Sequence, residues 1–285
     1  MRLAYAQLAL AMILVGANVG VAKVLAESLP IAVIAFLRCL IGCAVLWPLA
    51  RWVEGLPRLP RATLGNLFWQ AVFGTAIYNA GLLAGLRLTS ALEGGLVLAT
   101  LPAVVALGAW VLLRERLSGR QMVAAGLAGA GMAALTWARA GGTGGDWMGN
   151  LLVFGGVCGE AAYVLLARRM GVVPVLTASF WMQAFSAAVL LPFALPGLPG
   201  LEMGSDVLAL LLFHALTSSV LCLVLWYRGL RRVSAGVAGV FTAFLPASAA
   251  VVAVVWLGER AGTMHVAGFV LMLLSVLLAT WPRRA

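Results

Sequence analysis

The stretch Ser90–Trp137 occurs twice in this chain. Adding 144 to the numbers of Ser90-Ala91-x-x-x-Gly95, Leu101-Pro102-Ala103, Glu115-Arg116 and Thr136-Trp137 gives Ser234-Ala235-x-x-x-Gly239, Leu245-Pro246-Ala247, Glu259-Arg260 and Thr280-Trp281. The same offset pairs Pro30 with Pro174, Pro48 with Pro192 and Gly85-Leu86-Arg87 with Gly229-Leu230-Arg231. Separated landmarks at one offset mark a duplication, so the two halves must share one fold.

The solvent for that fold is set by composition. Only 10% of residues are charged and 64% are hydrophobic, whereas a soluble domain carries roughly a quarter charged residues. The chain reads as an all-α integral membrane protein. Charge, Pro and Gly punctuate ten runs of membrane-spanning length: 4–22, 31–50, 64–85, 91–113, 120–138, 148–167, 174–194, 207–227, 234–257 and 263–281. Barrel strands need only about 10 residues, so uninterrupted runs of this length are helices. The net charge of +10 arises from basic residues scattered between apolar runs, so a nucleic-acid partner is rejected. Cys39, Cys43, Cys158 and Cys222 all fall within apolar runs and read as free buried thiols. Two histidines, His214 and His265, cannot assemble a metal cluster, and neither metal nor cofactor is expected. Gly129-x-Gly131-x-x-Ala134 lies inside a span with no preceding strand and is not a dinucleotide site.

Loop charge orients the spans. With the N-terminus in the cytoplasm, fourteen Lys and Arg residues lie on the cytoplasmic side and four outside, with Arg38 inside span 2. Both termini are therefore expected in the cytoplasm, in a bacterial inner membrane. Five spans per copy is an odd number, so the second copy enters the bilayer from the opposite side. The expected fold is ten transmembrane helices as two inverted five-helix repeats, residues 1–140 and 147–285, joined by a loop at 141–146.

Each half has a mid-span Pro-Ala, then a Leu-x-Glu-Arg turn, then a Gly-spaced closing span. These read Pro102-Ala103…Leu113-Arg114-Glu115-Arg116 and Pro246-Ala247…Leu257-Gly258-Glu259-Arg260. The pattern resembles the EamA domain of the drug/metabolite transporter superfamily, and within it the bacterial YddG-type exporters of aromatic and other amino acids. That resemblance implies a ten-helix basket whose cavity is lined by spans 1, 3, 4, 6, 8 and 9, with spans 5 and 10 peripheral. The chain departs from internal symmetry at Glu160, whose equivalent is Gly16.

Several residues could carry transport. Pro102 and Pro246 lack an N–H and free the carbonyls of Leu98 and Thr242, giving kinked gating helices with acceptors for a substrate ammonium, or merely tolerated kinks. Glu160 lies about 12 residues into span 6, ~18 Å along its axis. A charge there costs on the order of 2.5–3.5 kcal/mol and calls for a reason, either ligand binding or a structural pairing. Arg38 is its basic counterpart and could instead snorkel to the surface. Tyr78, Asn79, Tyr163 and His214 offer polar tips for a bulky amino acid, although helix–helix hydrogen bonding explains each single one as well. Gly16/Gly20, Gly81/Gly85 and Gly155/Gly159 read as close helix crossings.

The expected function is outward movement of small organic metabolites, amino acids foremost, by alternating access, with proton-coupled efflux of cationic drugs through Glu160 as the alternative. Nothing clusters as an enzyme's nucleophile, acid or metal set would. The partners are the lipid bilayer and a small-molecule substrate. One chain contains both halves, so a monomer suffices, and association of copies is left open. Inversion makes a direct prediction. Cysteines replacing Arg116 and Arg260 will react with an impermeant maleimide from opposite faces of sealed vesicles; labelling from one face would break the inverted geometry.

Overall fold

A computed structural model describes residues 2–114, 119–140, 146–170, 173–230, 232, 241 and 244–280. The repeat landmarks Glu115-Arg116, Ser234-Ala235, Gly239 and Trp281, the loop at 141–145 and Thr242 lie outside the described residues. What is described is helical: α1 (Arg2–Ser28), α2 (Ile31–Val53), α3 (Arg61–Ala71), α4 (Tyr78–Leu88), α5 (Ala91–Leu98), α6 (Leu101–Leu113), α7 (Gly119–Ala140), α8 (Trp147–Arg168), α9 (Val175–Ala194), α10 (Ser205–Leu216), α11 (Cys222–Leu230), α12 (Phe244–Val255) and α13 (Thr263–Thr280). Among the described residues, seven stretches are long and apolar enough to cross a membrane: α1, α2, Arg61–Leu88, Ala91–Leu112, Trp147–Ala167, Val175–Gly197 and Ser205–Trp226. Two shorter apolar helices, Phe244–Val255 and Thr263–Leu278, follow.

Two of these stretches change pitch at matching places. Val72–Ile77 and Thr217–Leu221 are wider π-helical turns, and the 144-residue offset superposes them within a residue or so. Such turns leave the regular ladder and often sit at functional sites. The Ala91–Leu113 stretch does not kink as one helix at Pro102. It breaks at Ala99–Thr100, and Pro102 lies in the first turn of α6, where its missing N–H costs nothing. The Thr100 hydroxyl donates to the Val97 carbonyl at 2.7 Å, satisfying one acceptor at the break. Pro246 is buried near the start of the described part of α12.

Packing joins one half to the other. The most extensive pairings are α7 with α13, α2 with α9, α4 with α8 and α1 with α12, followed by α1 with α11 and α6 with α8. Exchanging each helix for its repeat equivalent maps α4–α8 onto α11–α1 and α6–α8 onto α12–α1, so the interface is self-complementary. Small residues make the crossings close. A Cβ on Gly81 would stand 2.7 Å from the Leu152 carbonyl oxygen, and one on Gly85 would stand 2.6 Å from that of Gly149. Gly16 approaches Ser248 and the Leu245 carbonyl as tightly. The expected Gly155/Gly159 pair is half right. A Cβ on Gly159 would stand 2.7 Å from the Phe73 carbonyl oxygen, while Gly155 faces open space; Gly149 and Gly156 complete the seam. Of the four free cysteines, Cys39 and Cys222 are buried, Cys43 is half-buried and Cys158 is exposed, so the last is not a core thiol.

The apolar core lies toward one end of the bundle. It gathers Leu25 and Leu29 of α1 and its exit, Leu86 of α4, Leu92 and Val97 of α5 and Val153 of α8. Two carboxylates clamp helix starts across the halves. Glu259 accepts from the Ala91 and Leu92 N–H groups at 2.7 and 2.8 Å. Glu54 accepts from Leu176 and Thr177 N–H at 3.0 and 2.8 Å and from the Thr177 hydroxyl at 2.9 Å. Each satisfies two otherwise orphaned donors and meets the positive end of a helix dipole. Glu259→Ala removes such a cap and is expected to cost about 1–2 kcal/mol, read as a lowered midpoint of thermal unfolding in detergent, whereas Glu259→Gln should recover part of the loss.

Candidate functional site

At the other end, toward the N-terminus of α1, the helices part around a cavity of about 650 Å³. Its walls come from Met12 and Val15 of α1, Tyr78 of α4, Leu98 and Pro102 around the break, Glu160 and Tyr163 of α8, Ser218, Cys222 and Trp226 around the second π turn, and Leu245 of α12. Val276 of α13 also reaches it. The span expected to be peripheral at the C-terminal end therefore contributes, because the α7–α13 pair packs against α6.

Local chain chemistry explains how these groups arrive. Glu160 and Tyr163 are three residues apart on α8 and share a face, as their spacing requires. Tyr163 fits because residue 74, within the first π turn, is glycine; a Cβ there would stand 2.5 Å from that of Tyr163. Tyr78 and Cys222 are repeat equivalents, each following its π turn, and both line the cavity. The Glu160 carboxylate makes no hydrogen bond or ion pair among the described residues; Arg38 acts on it only at longer range. Arg38 is buried and turned inward, so it does not snorkel. Its Nη1 donates to Ser219 Oγ at 3.1 Å and to Ser218 Oγ at 3.4 Å, and its Nε has no hydrogen-bond partner among the described residues. The cavity thus holds a carboxylate with no hydrogen-bond partner among the described residues, two tyrosines, a tryptophan and a serine backed by a guanidinium.

Of the residues singled out from the sequence, Tyr78, Leu98, Pro102, Glu160 and Tyr163 meet on this cavity. Asn79 does not. Its amide donates to the Thr75 carbonyl one turn back, in the π turn, and it is buried between helices. His214 does not either: its Nδ1 lies 2.8 Å from Asn18 Oδ1, and Asn18 Nδ2 donates to Thr217 Oγ1 at 2.9 Å, which ties α10 to α1. In both cases a buried polar side chain satisfies helix backbone or a neighbouring helix, the commoner fate in a membrane. Pro246 is not on the cavity wall, and Thr242 lies outside the described residues. Sequence reasoning missed Ser218, Cys222 and Trp226, although the offset from Tyr78 to Cys222 was a usable signal. It also missed Glu93, buried within α5, whose Ser90-x-x-Glu93 spacing is that of a capping box.

Comparison with known proteins fits this geometry. A Bacillus subtilis (strain 168) protein, the uncharacterized transporter YetK, is 33% identical over 273 residues, spanning 93% of this chain and 83% of its own. A solved crystal structure superposes with a TM-score of 0.68 over 95% of this chain and 94% of its own; at 22% identity that likeness speaks for the fold alone. The profile of the EamA-like transporter family matches residues 2–137 and again 147–281. With both halves matched and the cavity between them, the chain belongs to the EamA-like transporter family.

Proposed function

We propose that the protein moves amino acids, aromatic ones foremost, out of a bacterial cell across the inner membrane, as a YddG-type exporter would. In this reading ten spans form two inverted repeats with both termini cytoplasmic. The helices α7, α12 and α13 supply the spans beyond the seven recognised by length. The cavity, at the end bearing the N-terminus, is then open toward the cytoplasm and ready to load, while the packed core closes the outer end. Alternating access exchanges the two halves' roles.

The observation that carries the substrate reading is the unpartnered carboxylate facing aromatic walls. Glu160 takes the substrate ammonium, Tyr78, Tyr163 and Trp226 enclose its side chain, and Ser218, held by Arg38, meets its carboxylate. Pro102 and the break beside it give α5 and α6 a hinge, with the Leu98 carbonyl at its edge; Pro246 is the repeat equivalent of Pro102 in the second half. The alternative, proton-coupled efflux of cationic drugs through Glu160, is favoured by one fact: among the described residues no basic side chain itself lines the cavity.

Flux in proteoliposomes separates the readings. Labelled tryptophan and tyrosine should move, and Glu160→Gln should weaken their apparent affinity by about 10–100-fold, the worth of a charged hydrogen bond. Tryptamine and tyramine moving well while the parent amino acids do not would favour the cationic reading. Flux of neither class would overturn the substrate assignment.

A further inference from the structure

At the packed end of the bundle, five residues before the cavity-lining Leu98 on α5, three spans meet around a carboxylate. Glu93 of α5 is fully buried. Its Oε1 lies 3.3 Å from Nε2 of His265 in α13, itself buried. Its Oε2 accepts from the Asn150 amide of α8 and lies 3.0 Å from the Thr89 hydroxyl. That hydroxyl also lies 2.8 Å from Asn150 Oδ1 and can donate to only one of the two. His265 Nδ1 accepts the Gly262 N–H at 3.0 Å, which closes the first turn of α13. A ring nitrogen that accepts carries no proton, so Nε2 holds the hydrogen and donates it to Glu93.

The surroundings supply charges of both signs on other elements. Lys23 and Glu27 of α1 pair at 2.8 Å, and Lys23 donates to the Leu86 carbonyl. Arg87 donates to the Ala26 and Leu29 carbonyls, Asp146 opens α8, and Glu259, followed by Arg260, caps α5. Lys23, Glu27, Arg87, Asp146 and Glu259 thus each have partners of their own.

We propose that Glu93 and His265 form a proton-binding latch that holds this end of the transporter shut, separate from the substrate cavity. The inference rests on the alternating-access reading above. A proton on Glu93 Oε1 sets an O–H against the His265 N–H that the carboxylate had been accepting, so α5 and α13 lose their shared bond and the end they close is free to open. A proton on His265 Nδ1 displaces the Gly262 N–H and unties the start of α13, while Nε2 still donates to Glu93.

Repeat symmetry sharpens the point. Subtracting or adding 144 turns His265 into Gln121, Asn150 into Ala6, Glu93 into Val237 and Thr89 into Val233. The inverted repeats would otherwise have equivalent gates, yet the carboxylate–imidazole pair exists at one end only. Proton binding therefore acts on one gate and leaves its counterpart untouched. That gives a symmetric scaffold a preferred direction.

The test uses the full chain in detergent, with the four native cysteines replaced and Val97→Cys as a reporter in the core behind the latch. Alkylation by a water-soluble maleimide, divided by the rate at an exposed control cysteine, should rise about tenfold from about pH 8 to about pH 6. Glu93→Gln and His265→Gln should each abolish that rise. Should Val97→Cys not fold, the pH dependence of hydrogen exchange at the Ala91–Leu98 amides in the unmodified chain reads the same opening. A parent without the rise, or a Glu93→Gln variant that keeps it, overturns the latch. Neither readout uses substrate, so absence of amino-acid flux would sink the transport reading while leaving this result standing.

Discussion

Hydrocarbon offers no hydrogen bonds, so each backbone N–H and carbonyl within the bilayer must find a partner in the protein. The departures from regular helix are organised by that constraint. At Ala99–Thr100 the chain breaks, and a threonine hydroxyl turns back to the Val97 carbonyl. In the first π turn the Asn79 amide serves the Thr75 carbonyl. In the second, the Thr217 and Ser218 hydroxyls return to the Phe213 and His214 carbonyls. These three irregular places border the cavity through Leu98, Tyr78 and Ser218. Local loss of helical regularity, repaired by short polar side chains, is what gives an apolar bundle a polar interior.

The remaining polar groups divide by partner. Asn18, His214 and Thr217 bond to one another and to backbone, and they hold helices together. Glu160 bonds to none of the described residues, and Arg38 acts on it only at longer range. The distinction rests on geometry: Asn79 adjoins Tyr78 in sequence, yet one faces a neighbouring helix and the other the cavity.

Much of the architecture was legible because membrane helices leave coarse signals. Run length, loop charge and the 144-residue offset convey helical spans, a duplicated plan and a family, and the pairing of halves follows. The site was legible only where an unusual residue sat in an apolar run, as Glu160 does, or where spacing fixed a shared face, as with Tyr163. His214 and Asn79 misled because a polar residue within a span carries no mark of which neighbour it faces. The π turns were invisible because neither contains proline, and they rotate the residues after them by more than an ordinary turn. Glu93 escaped notice beside the span boundary, although its spacing from Ser90 marked the start of a helix.

The carboxylate clamps of Glu54 and Glu259 run in opposite directions between the halves, one completing α9 and the other completing α5. Glu54 has no counterpart in the second copy, where residue 198 is leucine. A duplication must begin with identical halves, as two subunits of a homodimer are identical. The clamp on α9 has since become one-sided, whereas Glu259 keeps a repeat equivalent in Glu115. Neither half now possesses every termination its own helices require, so fusion has become a physical dependence as well as a genetic one.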